Sequence, residues 1–308
     1  MQSVVASGEV DMKAFENVTF KQIILLILAV TLLACKDTSN ASSNNKSLPV
    51  SNNLSVNVAP VTNGNWYKPT VGTSWQWQLQ PKKDEELNLS YNVEIYDLDL
   101  FDTPAKTIQQ LQEIGHKVIC YFSAGSYENW RLDEAQFMTS DYGNTLDGWE
   151  GENWLDIRSN NVHDIMLTRL ELAAEKGCDG VEPDNVDGYT NNTGFRLTSD
   201  DQLAYNRFLA NAAHTRGLSI GLKNDLDQIL ELVEYFDFAV NEQCFQYNEC
   251  ELLTPFIDAN KAVLTAEYQG KYKTEPSARE ALCTVANELQ FSTLILPLAL
   301  DDSYRDSC

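Results

Sequence analysis

The sequence predicts an α/β fold, a single (β/α)8 barrel, and three observations predict it. Eight short apolar segments read as strands, amphipathic stretches of helical period lie between several of them, and acid or amide residues recur at the strands' C-terminal ends. In chain order the strands fall at 75–79, 93–97, 117–122, 180–184, 219–223, 238–242, 262–266 and 293–296. Helical periodicity fills 104–114, 162–175, 200–214, 226–234, 251–259 and 277–288. Pro104 suits a first helical turn, and Gly115, Gly177 and Gly217 stand where a helix would end. The section 127–159 breaks the rhythm: it is an aromatic and acidic insert, longer than an ordinary connection, and such loops often build part of a site. A doubly wound sheet is the rival, but no GxGxxG follows an early strand, so a dinucleotide reading fails.

The barrel does not begin the chain. Residues 23–33 form an apolar run of eleven after Lys21, too short to span a bilayer of ~30 Å and suited to a signal-peptide core. It ends Leu32-Leu33-Ala34-Cys35, which resembles a bacterial lipobox whose Cys becomes the lipidated first residue. An ordinary signal peptide or a buried helix is the plainer alternative. Residues 1–34 are therefore read as a signal peptide, with Met12 a candidate true start, and Cys35 as the lipidation site. Residues 35–65 are rich in Ser and Asn and read as a disordered tether. The barrel is assigned to 66–308. This organisation predicts an exported bacterial lipoprotein, monomeric, held to the membrane of the cell envelope by its lipid.

Composition narrows the partners. The 308 residues carry 45 Asp and Glu against 22 Lys and Arg, a formal charge of −23. Removing residues 1–34 takes away three acidic and two basic residues, which leaves −22 on the exported part. So acidic a chain disfavours nucleic acid, whose binding needs cations on phosphates, and suits a cationic small molecule or polymer. Three His and no HExxH leave little for a His-based zinc site. Export permits disulfides among the six later cysteines: Cys244 with Cys250 and Cys283 with Cys308 are the expected pairs, while Cys120 and Cys178 read as buried thiols.

The strand ends carry the candidate chemistry. Asp97 and Asp99 follow the second strand; Glu182, Asp184, Asn185 and Asp187 the fourth; Lys223, Asn224 and Asp225 the fifth; Asn241, Glu242 and Gln243 the sixth; Glu267 the seventh. In a barrel these ends surround one opening, where the active site of the architecture lies. With no serine elbow, P-loop or His base, a ring of carboxylates implies acid–base hydrolysis or a divalent cation. The calcium-loop match fails, because placing Gly188 at position six puts Pro183 at position one, where a carboxylate is required. Neither a metal nor any other cofactor is assigned. Paired carboxylates suit glycosidic cleavage: strands two apart separate their backbones by roughly 9–10 Å. Leaning side chains on Asp184 and Glu242 would close that to about 5–6 Å, near a retaining separation.

Four ordered segments then become recognisable: VICYFSAGSYE at 118–128, GCDGVEPDNVD at 177–187, GLKND at 221–225 and NEQC at 241–244. Together they resemble glycoside hydrolase family 114, the endo-α-1,4-polygalactosaminidases and relatives built on a TIM barrel. The resemblance runs from about Trp66 to Leu298. It implies Asp184 as nucleophile, Glu242 as general acid/base, and an α-1,4-linked, galactosamine-containing polysaccharide as substrate. By position, Asp97, Asp99, Tyr121, Asn185, Asp187, Tyr189, Lys223, Asp225 and Glu267 are assigned to substrate binding. Trp75, Tyr121, Trp130, Trp149 and Tyr189 are candidate stacking platforms. A catalytically silent glycan-binding lipoprotein and a metal-dependent barrel hydrolase stay open beside this reading.

Overall fold

The computed structural model describes residues 54–308 apart from Asp84. The predicted signal peptide, Cys35 and the first part of the tether lie outside the described residues. Eight parallel strands follow one another in chain order: β1 (Trp75–Gln78), β2 (Ile95–Asp99), β3 (Lys117–Ser123), β7 (Gly180–Asp184), β8 (Ser219–Lys223), β9 (Phe238–Glu242), β10 (Val263–Glu267) and β11 (Ser292–Ile295). A short antiparallel strand, β12 (Asp306–Ser307), adds to β11 and completes a curled nine-stranded sheet. Between β3 and β7 the insert folds as its own antiparallel sheet of β4 (Ser126–Glu128), β5 (Tyr142–Thr145) and β6 (Glu152–Leu155), with β6 central.

The connecting helices are α1 (Ala105–Glu113), α2 (Asn160–Lys176) and α3 (Ser199–His214), then the short α4 (Ile229–Leu232), α5 (Cys244–Tyr247), α6 (Thr254–Asp258) and α7 (Gly270–Thr274), and finally α8 (Pro276–Glu288). Local chemistry sets their ends. Thr198 and Asp201 form a reciprocal capping box at the start of α3, and Gly177 closes α2 at φ +83°. None of these helices is long and apolar enough to cross a membrane.

Strand parity divides the interior. On one face Trp75, Trp77, Ile95, Ile119, Phe238, Val240, Leu264, Ala266 and Leu294 fill the inside of the curl. On the other face Tyr96, Leu98, Val118, Cys120, Phe122, Val181, Ile220 and Leu222 meet the helices. Gly221 belongs to the inner set because a Cβ there would lie 2.4 Å from the Phe238 ring. The two edges of the curl meet without a strand ladder. Trp75 Nε1 donates to the Ser292 carbonyl at 2.8 Å, and Arg305 bridges the tail to the Trp75 carbonyl at 2.9 Å.

Two expectations need correction. Cys120 and Cys178 are not free thiols but a disulfide across 58 residues, alongside the expected Cys244–Cys250 and Cys283–Cys308 bonds. Cys120 lies on the helix-facing side of β3, and Cys178 enters the neighbouring strand from α2, so the ladder itself brings them together. Part of the stretch read as tether is also packed. Val61 N–H donates to Asn211 Oδ1 at 2.7 Å and Asn211 Nδ2 donates to the Ala59 carbonyl at 2.9 Å, fixing the arm along α3 ahead of Trp66.

Candidate active site

The site is built on three neighbouring strands whose inward residues end in charge. Alternation along β7 turns Glu182 and Asp184 inward, along β8 Lys223, and along β9 Glu242. Each of these strands then leaves the sheet through a left-handed residue: Asn185 at φ 60°, Asn224 and Asp225 at 49° and 46°, and Gln243 at 64°. Asn and Asp tolerate that conformation best among residues with side chains. The turn after β7 is also clamped from β3: Ala124 and Gly125 N–H groups both donate to the Asp184 carbonyl. Gly125 is required there, since a Cβ would fall 1.7 Å from the Asn185 carbonyl oxygen.

Lys223 is the centre of the arrangement. Its Nζ lies 2.9 Å from Asp184 Oδ1, 3.1 Å from Glu242 Oε2 and 3.2 Å from Glu182 Oε1. Two oxygens held at 2.9 and 3.1 Å from one nitrogen are at most about 6 Å apart, the sum of those contacts. Burial alone would push the Lys223 ammonium down; Asp184, Glu242 and Glu182 outweigh it and hold the group well above the ordinary lysine range. Each catalytic candidate has a second partner. Tyr121 donates its hydroxyl to Asp184 Oδ2 at 2.9 Å, Asn185 N–H donates to Asp184 Oδ1 at 2.7 Å, and Tyr268 donates to Glu242 Oε1. Burial, then the neighbouring Asp184 for Tyr121 and Glu242 for Tyr268, raises both phenols, so both remain donors. Asp184 and Glu242 keep 18% and 26% of their side-chain surface exposed, against 2% for Lys223. The carboxylates can therefore reach a ligand while the cation stays behind them.

A cavity of about 770 Å³ opens above this cluster. One wall is the insert, with Asn144, Trp149, Glu152, Asn153 and Trp154; Leu298 and Leu300 stand in the lining too, and Trp77, Tyr121, Asp184, Lys223 and Glu242 belong to it as well. Burial raises Glu152 to about 7 although Ser126 donates to it at 2.7 Å. Asn185 and Asp187 line the same space, and burial lifts Asp187 to about 6. The lining is thus rich in amides and carboxyls with a few aromatic faces, as a polyhydroxylated ligand requires.

The remaining assigned residues sit elsewhere. Asp97 is wholly buried below the cluster. Asp99 pairs with Arg131 at 2.8 Å, and Arg131 also holds Glu128. Asp225 accepts from Asn206 Nδ2 at 2.8 Å, and burial raises it to about 8. Glu267 accepts the Phe245 N–H at 2.9 Å and so fixes α5 behind Glu242. Tyr189, Asp99, Asp225, Glu267, Trp75 and Trp130 do not line the cavity; Trp149 does. Sequence reasoning passed over Tyr268, Trp77, Glu152 and Asn153. For Tyr268 the available signal was parity: on β10 the inward series is Leu264, Ala266 and then residue 268, so Glu267 points away.

Known proteins bear on this geometry. The sequence model of a family described as Glycoside-hydrolase family GH114 matches residues 56–308. The structure of Aspergillus fumigatus Ega3 in complex with galactosamine shares 47% identity and a TM-score of 0.75, covering 80% of this chain and 99% of that one. The glycoside hydrolase domain of PelA from Pseudomonas aeruginosa shares the fold, with a TM-score of 0.58 at 13% identity over 75% of this chain and 96% of its own. No curated protein matches the chain.

Proposed function

The chain belongs to glycoside-hydrolase family GH114, a family of glycosidases, and on that premise we propose that it cleaves α-1,4-linked galactosamine polysaccharide within the chain and with retention of configuration. The single supporting observation is Lys223 Nζ in contact with both Asp184 Oδ1 and Glu242 Oε2, which brings those two oxygens within about 6 Å of each other. A retaining pair stands about 5–5.5 Å apart, whereas an inverting pair needs about 6.5–9.5 Å to admit water. Asp184 attacks the anomeric carbon while Glu242 gives its proton to the leaving oxygen. Water then displaces Asp184 as Glu242 takes the proton back. When the ester forms, Asp184 loses its charge as Glu242 gains one. Lys223 touches both, so it stays paired at every stage.

The galactosamine bound to the 47%-identical relative, together with the acidic lining of this cavity, supports an amino-sugar polymer as substrate. The eight consecutive parallel strands support the reading of the curled sheet as a (β/α)8 barrel. Lipid anchoring at Cys35 and a monomeric state are proposals that rest on the sequence alone; the mass of the mature N-terminal peptide tests the first. The catalytic assignment is tested on partially deacetylated galactosamine polymer with the wild type, Asp184→Asn and Glu242→Gln. Release of oligosaccharides by the wild type and by neither variant is expected. Wild-type turnover in both variants would remove the pair.

A further inference from the structure

Beneath the catalytic pair lie two carboxyls to which the glycosidase reading gives no role. Asp97 on β2 and Glu182 on β7, one inward position below Asp184, are both without solvent exposure. Among the described residues, no hydrogen-bond donor reaches any of their four oxygens. Lys223 Nζ stands 3.2 Å from Glu182 Oε1, but as an ion-pair contact off the hydrogen-bonding direction. Both project inward, from strands that flank β3, and each acts on the other's titration. The charged and titratable groups around them are Asp184, Lys223, Glu242, Tyr121 and Tyr268, and Lys223 is the one cation among these.

Two adjoining carboxylates, both cut off from bulk solvent, repel. A proton on one relieves the repulsion and supplies the missing donor. Burial raises both groups above the usual carboxylate range. Contact with Lys223 favours the charged form of Glu182, which leaves the proton to Asp97. We propose that Asp97 and Glu182 form a carboxylic acid–carboxylate pair, with the proton on Asp97, and that the charge kept on Glu182 positions Lys223 between Asp184 and Glu242. The proposal deepens the glycosidase reading of the same site and rests on it. Lys223 Nζ also stands 3.1 Å from Glu242, so the charge beneath the ammonium bears on the group assigned to deliver the proton. Asp97 and Glu182 are positioning residues, acting on substrate only through Lys223.

The test compares pH profiles of kcat/KM for the wild type, Asp97→Asn and the Asp97→Asn/Glu182→Gln double variant, with infrared spectra taken at pH 7. Asp97→Asn replaces a neutral acid by a neutral amide, so the alkaline limb should stay in place. The double variant removes the charge. With that negative charge gone from beside Lys223, the alkaline limb should move acidward by roughly one pH unit or more. The difference spectrum of wild type minus Asp97→Asn should show the carbonyl stretch of a protonated acid, displaced by ¹³C-labelling of aspartate but not glutamate. A limb that shifts already in Asp97→Asn means that both groups are charged, and a limb that stays put in the double variant means that Lys223 is indifferent to them. Either result overturns the proposal, as does absence of the band or its displacement by labelled glutamate. If the wild type cleaves no polymer, the glycosidase reading fails while the spectrum still judges the pair.

Discussion

The two ends of the curled sheet treat buried carboxylates in opposite ways. At the N-terminal end the carboxylates of Asp237 and Asp179 are saturated. Asp237 accepts from Trp66 Nε1, from His214 Nε2 and from the Ile220 N–H, at 3.0, 2.9 and 3.1 Å. Asp179 likewise takes Lys117, Gln112 and the Val118 N–H. Toward the C-terminal end, the four oxygens of Asp97 and Glu182 accept nothing from any other described residue, and three carboxylates share one lysine. Buried polar groups normally find partners, because leaving one unmade costs about 1–3 kcal/mol. The saturated end holds the fold together, and on the proposed function the other end gives up stability for chemistry.

Substitutions at the two ends should therefore separate activity from stability. The largest effect belongs to the catalytic end: Asp184→Asn and Glu242→Gln should each lower kcat by about 10³-fold or more while the melting temperature hardly falls. Thermal melts of both variants beside the assays check this, and a loss of folding in step with activity would erase the contrast. Next comes Asp237→Ala, which strands the partners of a buried acceptor. It should destabilise by about 3 kcal/mol, read from denaturant curves, and leave kcat/KM within about twofold.

The pH dependence of stability is a subtler contrast. Burial raises Glu152 and Glu267 to about 7 and Asp225 to about 8, so the native state keeps protons that the unfolded chain has released above about 4–4.5. Each such group adds stability in mildly acidic solution, and that contribution is lost as pH rises through the folded value. The melting temperature should thus decline between pH 5 and pH 8, and Asp225→Asn should flatten the decline. A melting temperature that rises steadily over that range would contradict the burial argument. The smallest effect is expected on the insert. Trp149, half exposed on the cavity wall, should on truncation to Ala raise KM severalfold with kcat changed less than twofold.

Much of the sheet was legible because its signals are local. Parallel strands buried on both faces read as short apolar runs, and each predicted strand lies within two residues of an observed one. Asp184, Lys223 and Glu242 were legible for the same reason: a charge directly ending an apolar run has to emerge at the sheet's edge. What escaped depends on orientation and depth. Glu267 drew the reading because it is an acid, yet the residue facing Glu242 is the next one, Tyr268, and only the inward parity of β10 distinguishes them. Asp97 also ends an apolar run, but the strand continues to Asp99, so it lies below the opening rather than in it. The insert sheet was hidden because its strands are three or four residues long and interrupted by Gly143 and irregular pairing. The Cys120–Cys178 bond was hidden because two apolar contexts look the same whether or not they adjoin.

The central claim is that one lysine holds two carboxylates at the separation of a double displacement. The most direct test follows the anomeric proton signals of the first product released from galactosamine polymer, before mutarotation. Retention predicts that the α-anomer appears first and equilibrates afterwards. A β-anomer appearing first would mean direct displacement by water, and the assignment of Asp184 as nucleophile would fall.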